Sequence, residues 1–210
     1  MSDNKVTRQG NKVIKEFASH FNFVAEEKAY TLLKGRKMTP VLYFSGQDVI
    51  EHEYVEGPTL LDAITSNVDD PVELQKNFRT FYNWYKQFYD ITGMNLFNAD
   101  FGKFIYGEEA FVYVDFEHSR PGNTANDIAR LLVFLYLELD PNTEKSLYLA
   151  RLFFETGREY LQFNPGSFNL RLRKEFQELI DKKPLLLSNK DIDALCAMVE
   201  EACKDGRANN

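Results

Sequence analysis

Residues 56–58, Glu-Gly-Pro, divide the sequence into two parts of different character. Before them, short segments rich in β-branched and aromatic residues are separated by glycine-containing turns, a pattern typical of paired β-strands. After them, apolar residues recur at intervals of three and four, which indicates helices. Glycine followed by proline interrupts both kinds of element. We therefore predict an α+β protein of two lobes, a small β-rich lobe over residues 1–57 and a mainly helical lobe over residues 58–210.

The first part predicts a small sheet with one helix. Residues 5–8 and 12–17 flank a Gln-Gly-Asn turn of hairpin length, and residues 41–45 and 48–55 form a second pair of strands. Between the two pairs, residues 24–34 have apolar side chains on one side and contain neither glycine nor proline, so they predict a helix.

The second part predicts a series of helices interrupted by one hairpin. The hairpin consists of residues 103–106 and 111–115, with a glycine in its turn. Residues 128–139 are apolar around nearly their whole circumference, which marks a buried helix. Helical periodicity is found in these segments: 60–65, 71–88, 128–139, 144–161, 169–182 and 190–204.

Composition excludes several classes of function. With 25 Lys+Arg against 32 Asp+Glu, the net charge is −7, whereas a protein that coats nucleic acid needs a basic surface. The two cysteines, Cys196 and Cys203, form neither a disulfide framework nor a zinc motif. The first ten residues are too polar for a signal peptide, and no apolar run reaches the ~18 residues of a membrane span. We expect a reduced, cytoplasmic protein with no nucleic-acid partner and no membrane span.

Lys15 is the first candidate for chemistry. It lies on a predicted strand whose alternate residues are apolar. A lysine in that position can hold the phosphates of a nucleotide if a carboxylate orients its ammonium. Glu26 and Glu27, on the following helix, are the available partners. On this fragment alone, a solvated strand lysine beside an unrelated surface glutamate is the more common arrangement.

Asp115 is the second candidate. It follows the apolar strand residues 111–114, and a carboxylate at the end of such a strand is well placed to hold Mg²⁺, which prefers oxygen ligands. An aspartate that caps a turn is an equally common alternative. His118 lies near Asp115 and Glu117, but the histidines show no metal-binding spacing.

Taken in order, these segments resemble the protein-kinase-like fold. The nearest members are its small phosphotransferases: aminoglycoside and choline phosphotransferases, RIO-type kinases and kinases of the lipopolysaccharide core. Val13-Ile14-Lys15 is similar to the strand motif whose lysine holds the nucleotide phosphates, and the resemblance makes Glu27 its helix partner. Glu53, Tyr54 and Val55 look like the hinge whose backbone meets the adenine ring.

The resemblance continues into the second part. Residues 103–106 and 111–115 match the hairpin that leads to the metal-binding aspartate, and Asp115-Phe116-Glu117 is similar to the Asp-Phe-Glu of choline- and aminoglycoside-type enzymes. The resemblance therefore implies ATP as the nucleotide and Mg²⁺ at Asp115. The apolar helix at 128–139 is similar to the central helix of the large lobe.

The catalytic loop departs from the pattern of the family, which reads His-x-Asp-x-x-x-x-Asn. Alignment on the hairpin puts Leu96 at the histidine, Asn98 at the catalytic aspartate and Lys103 at the metal-binding asparagine. An asparagine cannot act as a carboxylate base, and an ammonium has no lone pair for a metal. In this alignment Lys103 takes the place of a second Mg²⁺ as a point charge toward the phosphates. A shift of two residues puts Asp100 in the catalytic position instead, and the sequence leaves both alignments open.

These expectations favour an ATP-dependent phosphotransferase that acts on the hydroxyl group of a small molecule or sugar. The short stretch between Asp115 and Asp127 leaves little room for the segment on which a protein substrate would dock. The alternative is a catalytically silent kinase-like module that binds a nucleotide or a partner protein, which the residues Asn98 and Lys103 support. An unrelated α+β domain, with Lys15 and Asp115 in place by coincidence, is the third interpretation.

Overall fold

A computed structural model of the chain describes residues 4–107, 110–138, 143–181 and 189–205. The chain divides into two compact units, one formed by Met1–Ala63 and Trp84–Gly122 and the other by Ile64–Asn83 and Asn123–Asn210. The lobe boundary at residue 57 stays a prediction. None of the helices in the described ranges is long and apolar enough to cross a membrane.

The first unit contains a four-stranded antiparallel sheet and one complete helix. The strands are β1 (Lys5–Gln9), β2 (Lys12–Glu16), β3 (Leu42–Gly46) and β4 (Val49–Glu53), in the order β1-β2-β4-β3. The helix, α1 (His20–Leu32), lies between the two strand pairs in the sequence. The predicted strands and helix are confirmed, although α1 begins four residues before the prediction because the exposed residues of its first turn hide the apolar pattern.

The register of the sheet decides which side chains share a face. Val6 lies opposite Lys15 in the β1–β2 pair, and Val13 lies opposite His52 in the β2–β4 pair. Residues that face each other across an antiparallel pair point to the same side, and so do residues two apart on one strand. Val6, Val13, Lys15 and His52 are therefore on one face.

Two further strand pairs complete the first unit. The predicted hairpin is confirmed as β6 (Phe104–Tyr106) paired with β7 (Phe111–Tyr113). One turn of 3₁₀ helix, Phe101–Lys103, leads into it. The other pair, β5 (Met94–Asn95) with β8 (Arg120–Pro121), was not predicted because strands of two residues have no periodicity to detect.

An aromatic cluster supports the hairpin of the first unit. Phe104 and Tyr113 are opposite each other on β6 and β7, with ring centroids 4.6 Å apart. Trp84 meets Phe104 edge-on at 5.1 Å, and Tyr113 meets Phe116 at 5.0 Å. Tyr113, Phe104 and Phe116 are almost fully buried, so apolar packing on both sides of Asp115 in the sequence holds the segment that carries it.

Most of the second unit is helical. Its helix α4 packs against both α5 and α6, and α7 packs against the same two helices. The predicted buried helix is confirmed in α4, where Leu131, Leu132 and Leu135 are fully buried and the hydroxyl of Tyr136 donates to Asp191 on α7 at 2.9 Å. Residues 139 and 182, the last residues of two predicted helices, lie outside the described residues. The helices after the sheet are α2 (Leu60–Ser66), α3 (Pro71–Thr92), α4 (Thr124–Glu138), α5 (Glu144–Arg158), α6 (Pro165–Ile180) and α7 (Asn189–Asp205).

Candidate functional site

The ammonium of Lys15 lies among three carboxylates. Its Nζ is 2.8 Å from Glu26 Oε2, 2.8 Å from Asp115 Oδ1 and 2.9 Å from Glu117 Oε2. The Lys15 side chain is 8% exposed and that of Glu26 is fully buried. Lys15 comes from β2, Glu26 from α1, and the other two from the segment after β7. We call these four residues the Lys15 cluster; with all three carboxylates ionised, two of their negative charges are left after Lys15 neutralises one.

Burial and charge act in opposite directions on the two innermost members. Burial lowers the pKa of Lys15, but the attraction of Glu26 and Asp115 and their hydrogen bonds outweigh it, so the net pKa is raised above its usual value. Lys15 is therefore positively charged at neutral pH. For Glu26 burial is the largest effect and raises the pKa, the charge of Lys15 opposes it, and the result is a pKa of about 7.

The structure corrects the predicted pairing of Lys15 with Glu27. Glu27 instead accepts a hydrogen bond from the hydroxyl of Ser45. Glu26 lies on the buried face of α1, three residues after Phe23 and three before Ala29, both of which are buried. That spacing was visible in the sequence, because residues three and four apart share a helix face. The resemblance to a family motif placed the acid one residue too far along.

Asp115 and Glu117 join the cluster from the same side of their segment. Phe116 between them is fully buried, whereas the side chains of Asp115 and Glu117 are 19% and 16% exposed. The side-chain amide of Asn4 also donates to Glu117. Sequence reasoning missed Glu117 as a site residue, and the alternation of acid, aromatic and acid after an apolar strand was the signal that would have found it.

The cluster has the chemistry of a divalent-cation site. One carboxylate oxygen from each of Glu26, Asp115 and Glu117 lies within 4.8 Å of the other two. Three oxygens this close together could bind one metal ion. Among the histidines, cysteines and acids of the described residues, these three form such a group. Carboxylate oxygens are the hard ligands that Mg²⁺ prefers. The excess of negative charge over Lys15 also favours a cation, so the residues present fit Mg²⁺.

A cavity of about 390 Å³ opens beside the cluster. Lys15, Asp115 and Glu117 form its charged end. Its other walls are mainly aliphatic: Val6, Val13, Val55, Ile105 and Val114. Pockets of this size, with apolar walls and a few convergent polar groups, are typical of small-molecule sites.

The predicted hinge residues take different positions. Tyr54 and Val55 line this cavity. Glu53 instead lines a neighbouring one, while its backbone carbonyl accepts a hydrogen bond from His52 Nδ1 at 2.7 Å. The backbone N–H of Tyr54 donates to the carbonyl of Asn11 at 2.9 Å.

Lys103 reaches the cluster from the loop before β6. Its Nζ is 3.8 Å from Asp115 Oδ2, and its backbone carbonyl accepts from the N–H of Val114 at 3.3 Å. The side chain lines the cavity and is 45% exposed. Lys103 therefore lies beside Asp115, and its role toward the phosphates stays a prediction.

Asp100 and Asn98, the two candidates for the acceptor side, are not among the residues that contact Lys15 in the described part of the chain. One carboxylate oxygen of Asp100 accepts a hydrogen bond from the backbone N–H of Gly102 at 2.8 Å and begins the 3₁₀ turn. Asn98 is exposed. Before it, Phe97 has a φ of 63°, in the left-handed region that residues with a side chain rarely adopt, and the guanidinium of Arg120 lies 3.0 Å from its ring centre.

Sequence comparison identifies no relative, because no family model and no curated protein matches the chain. Structural comparison does. A choline/ethanolamine kinase family protein from Mesorhizobium loti aligns with a TM-score of 0.50 and 14% identity over 96% of this chain and 85% of the other. This chain has the kinase-like phosphotransferase fold. The predicted fold class is thereby confirmed, with a small antiparallel sheet lobe followed by a helical lobe.

Two further solved structures align with the chain. An ethanolamine kinase from Plasmodium vivax aligns with a TM-score of 0.51 and 11% identity over 96% of this chain and 82% of the other. An ADP-bound aminoglycoside phosphotransferase aligns with a TM-score of 0.44 and 11% identity over 96% and 94%, and we base no argument on it. At these identities the likeness establishes the fold, and the activity must be argued from the site.

Proposed function

We propose that the protein is an ATP-dependent phosphotransferase that acts on a hydroxyl group of a small molecule or sugar. The observation that carries the proposal is the ammonium of Lys15, bound by Glu26 and Asp115 at the charged end of an apolar cavity. Transfer of a phosphoryl group requires little covalent chemistry from the protein. It requires positioned cations near the phosphates and an oriented acceptor.

The residues of the Lys15 cluster divide these tasks. Lys15 holds the nucleotide phosphates, and Glu26 fixes its direction through a buried ion pair. Asp115 and Glu117 are the residues that would hold Mg²⁺, which would supply positive charge to neutralise the phosphates. Lys103 adds a second positive charge on the same side of Asp115.

The apolar part of the cavity suits the nucleobase. Val6 and Val13 from the sheet and Ile105 and Val114 from the hairpin segment provide faces against which a flat ring can pack. The backbone N–H of Val55 makes no hydrogen bond to the described part of the chain, so it is available to the edge of a base.

Asp100 is the residue we assign to the acceptor hydroxyl. It is the carboxylate of the loop at residues 96–103, and its hydrogen bond to Gly102 uses one oxygen and leaves the other for the acceptor. Asn98 is the other candidate, and it orients a hydroxyl without accepting its proton as a carboxylate does.

A small acceptor fits the length of the chain after the cluster. Only residues 118–123 separate Glu117 from the first turn of α4, and part of that stretch forms β8. A segment long enough to present a protein substrate has no room there.

A second candidate function is nucleotide binding without transfer. Lys103 supports it, because an ammonium 3.8 Å from Asp115 takes the place of an oxygen ligand for a second metal ion. Asn98 supports it as well, since it brings no carboxylate to the acceptor side.

The test is thermal unfolding with ATP, with and without Mg²⁺, followed by an assay of ADP release with hydroxyl-bearing acceptors. Choline and ethanolamine are the first acceptors to assay, because two structural neighbours are named for them. At ~100 times the dissociation constant, Mg²⁺ with ATP should stabilise the protein by about 2.7 kcal/mol. Absence of any shift contradicts both candidates. A shift without ADP release from any acceptor favours the silent module.

A further inference from the structure

His52 is a polar side chain on the sheet wall of the cavity. It lies directly opposite the cavity-lining residue Val13 and shares a face of the sheet with Lys15. The residue is 4% exposed, and its ring stacks on that of Tyr30 with the centroids 6.0 Å apart. The proposed function gives roles to other residues of this cavity and none to His52.

The hydrogen bond of His52 determines its tautomer. The backbone carbonyl of Glu53, 2.7 Å from Nδ1, can only accept, so Nδ1 carries the proton and donates. Burial lowers the pKa of His52, so the ring is neutral at neutral pH. Nε2 therefore has a free lone pair, and it forms no hydrogen bond within the described part of the chain.

We propose that Nε2 of His52 is a hydrogen-bond acceptor that selects a nucleobase with an exocyclic amine. The inference rests on the proposed function, and it adds the basis on which the site chooses its nucleotide. An amine of adenine donates to the lone pair of Nε2. A carbonyl oxygen at the same place, as in hypoxanthine or guanine, sets one lone pair against another and leaves two buried acceptors unsatisfied.

Selection of this kind is stronger than selection by shape. A site built to hydrogen-bond a polar group discriminates against an analogue that lacks the group, because the site is then left with an unpaired polar atom in a dry environment.

The experiment compares two ligands that differ by one group. ATP and purine riboside triphosphate, which lacks only the exocyclic amine, are titrated with Mg²⁺ into the wild-type protein. Loss of one hydrogen bond predicts binding about fivefold weaker for the analogue. Equal affinity of the two ligands overturns the inference without needing any variant.

The His52→Leu variant then assigns the preference to this side chain. Leucine has a similar volume and no acceptor, so the ratio of the two dissociation constants should fall to within about twofold of one. His52→Gln restores an oxygen near the position of Nε2 and should recover part of the preference. His20→Leu is the matched control, because His20 is a histidine on α1 with a 74% exposed side chain, outside the cavity.

The outcomes separate this inference from the proposed function. If the wild-type protein binds neither nucleotide, the proposed function and the inference both fail. If it binds both nucleotides and the ratio is the same in His52→Leu as in the wild type, the inference fails while nucleotide binding stands. A ratio that falls in His52→Leu and not in His20→Leu supports it.

Discussion

The Lys15 cluster and the loop at residues 96–103 differ in how firmly their side chains are held. Lys15 and Glu26 are buried and paired, and loss of Lys15 would leave the Glu26 carboxylate without its counter-charge in an apolar surrounding. In the loop, Asn98 is exposed and Asp100 is bound by a single local hydrogen bond. Substitutions in the cluster should therefore change both stability and nucleotide binding, whereas substitutions in the loop should change turnover alone.

The largest effect is expected for Lys15→Met. The variant leaves the buried Glu26 carboxylate and its neighbours without their common cation, which should lower the free energy of unfolding by about 3–5 kcal/mol and abolish nucleotide binding. Lys12→Met is the matched control on the same strand, because Lys12 is 52% exposed and lies 3.7 Å from Glu51. An exposed pair of that kind contributes about 0–1 kcal/mol. Denaturant unfolding measures both.

A second substitution sharpens this result. Adding Glu26→Gln to Lys15→Met removes the buried charge that Lys15 compensated, so the double variant should be more stable than Lys15→Met while still failing to bind ATP. If the double variant is the less stable of the two, uncompensated charge is not the cause of the loss.

The next largest effect is expected for Asp100→Asn. Asparagine preserves the cap on the 3₁₀ turn because its side-chain oxygen also accepts from Gly102, so stability should change little. Loss of the carboxylate should lower kcat by about 100-fold and leave the affinity for ATP unchanged. Steady-state kinetics with a saturating acceptor measure the change, and Asn98→Ala is its counterpart in the same loop. A larger loss in Asn98→Ala would assign the acceptor to Asn98.

A pH dependence of stability distinguishes Glu26 from an ordinary surface acid. Its pKa is raised from 4.5 to about 7, so the folded protein binds more protons than the unfolded chain between these values. The stabilisation that this extra proton binding adds to the free energy of unfolding is fully present below pH 4.5 and is lost as the pH rises through 7. Without Mg²⁺ or nucleotide, Glu26→Gln should gain about 2 kcal/mol in stability relative to the wild type between pH 5 and pH 7.5.

The control for this pH series is Glu27→Gln, the same chemical change one residue along α1. Comparison of each variant with the wild type at each pH cancels the groups that titrate in both proteins. If the stability of Glu26→Gln relative to wild type is the same at both pH values, the Glu26 carboxyl does not titrate in this range.

The smallest effect is expected for Lys103→Ala. Lys103 is 45% exposed, so solvent screens its charge, but it contributes positive charge beside Asp115. Its removal should raise the Mg²⁺ concentration needed for half-maximal ATP binding by about threefold. Lys103→Asn, which replaces the ammonium with an oxygen ligand, should lower that concentration instead. A Mg²⁺ dependence unchanged in both variants would separate Lys103 from the cation site.

The comparison of cluster and loop also shows which parts of the site were predictable. Lys15 and Asp115 could be singled out as polar residues on or after apolar strands, although a solvated lysine was the more common arrangement and a turn-capping aspartate an equally common one. Glu26 was predictable from the helical spacing of Phe23 and Ala29, but the family resemblance pointed to Glu27. Two features could not be predicted, because neither has a repeating pattern in the sequence: the pairing of β5 with β8 and the hydrogen bond of Asp100 to Gly102.

The sequence by itself determined the kinds of elements, their order and the chemical groups available, because hydrophobic periodicity and turn residues act over a few positions. Only the tertiary structure decided which of these groups meet. Lys15 and Asp115 are 100 positions apart, and their contact depends on how the sheet and the hairpin segment pack within the first unit. The position of His52 on the cavity wall was decided in the same way, because it depends on the pairing of β4 with β2.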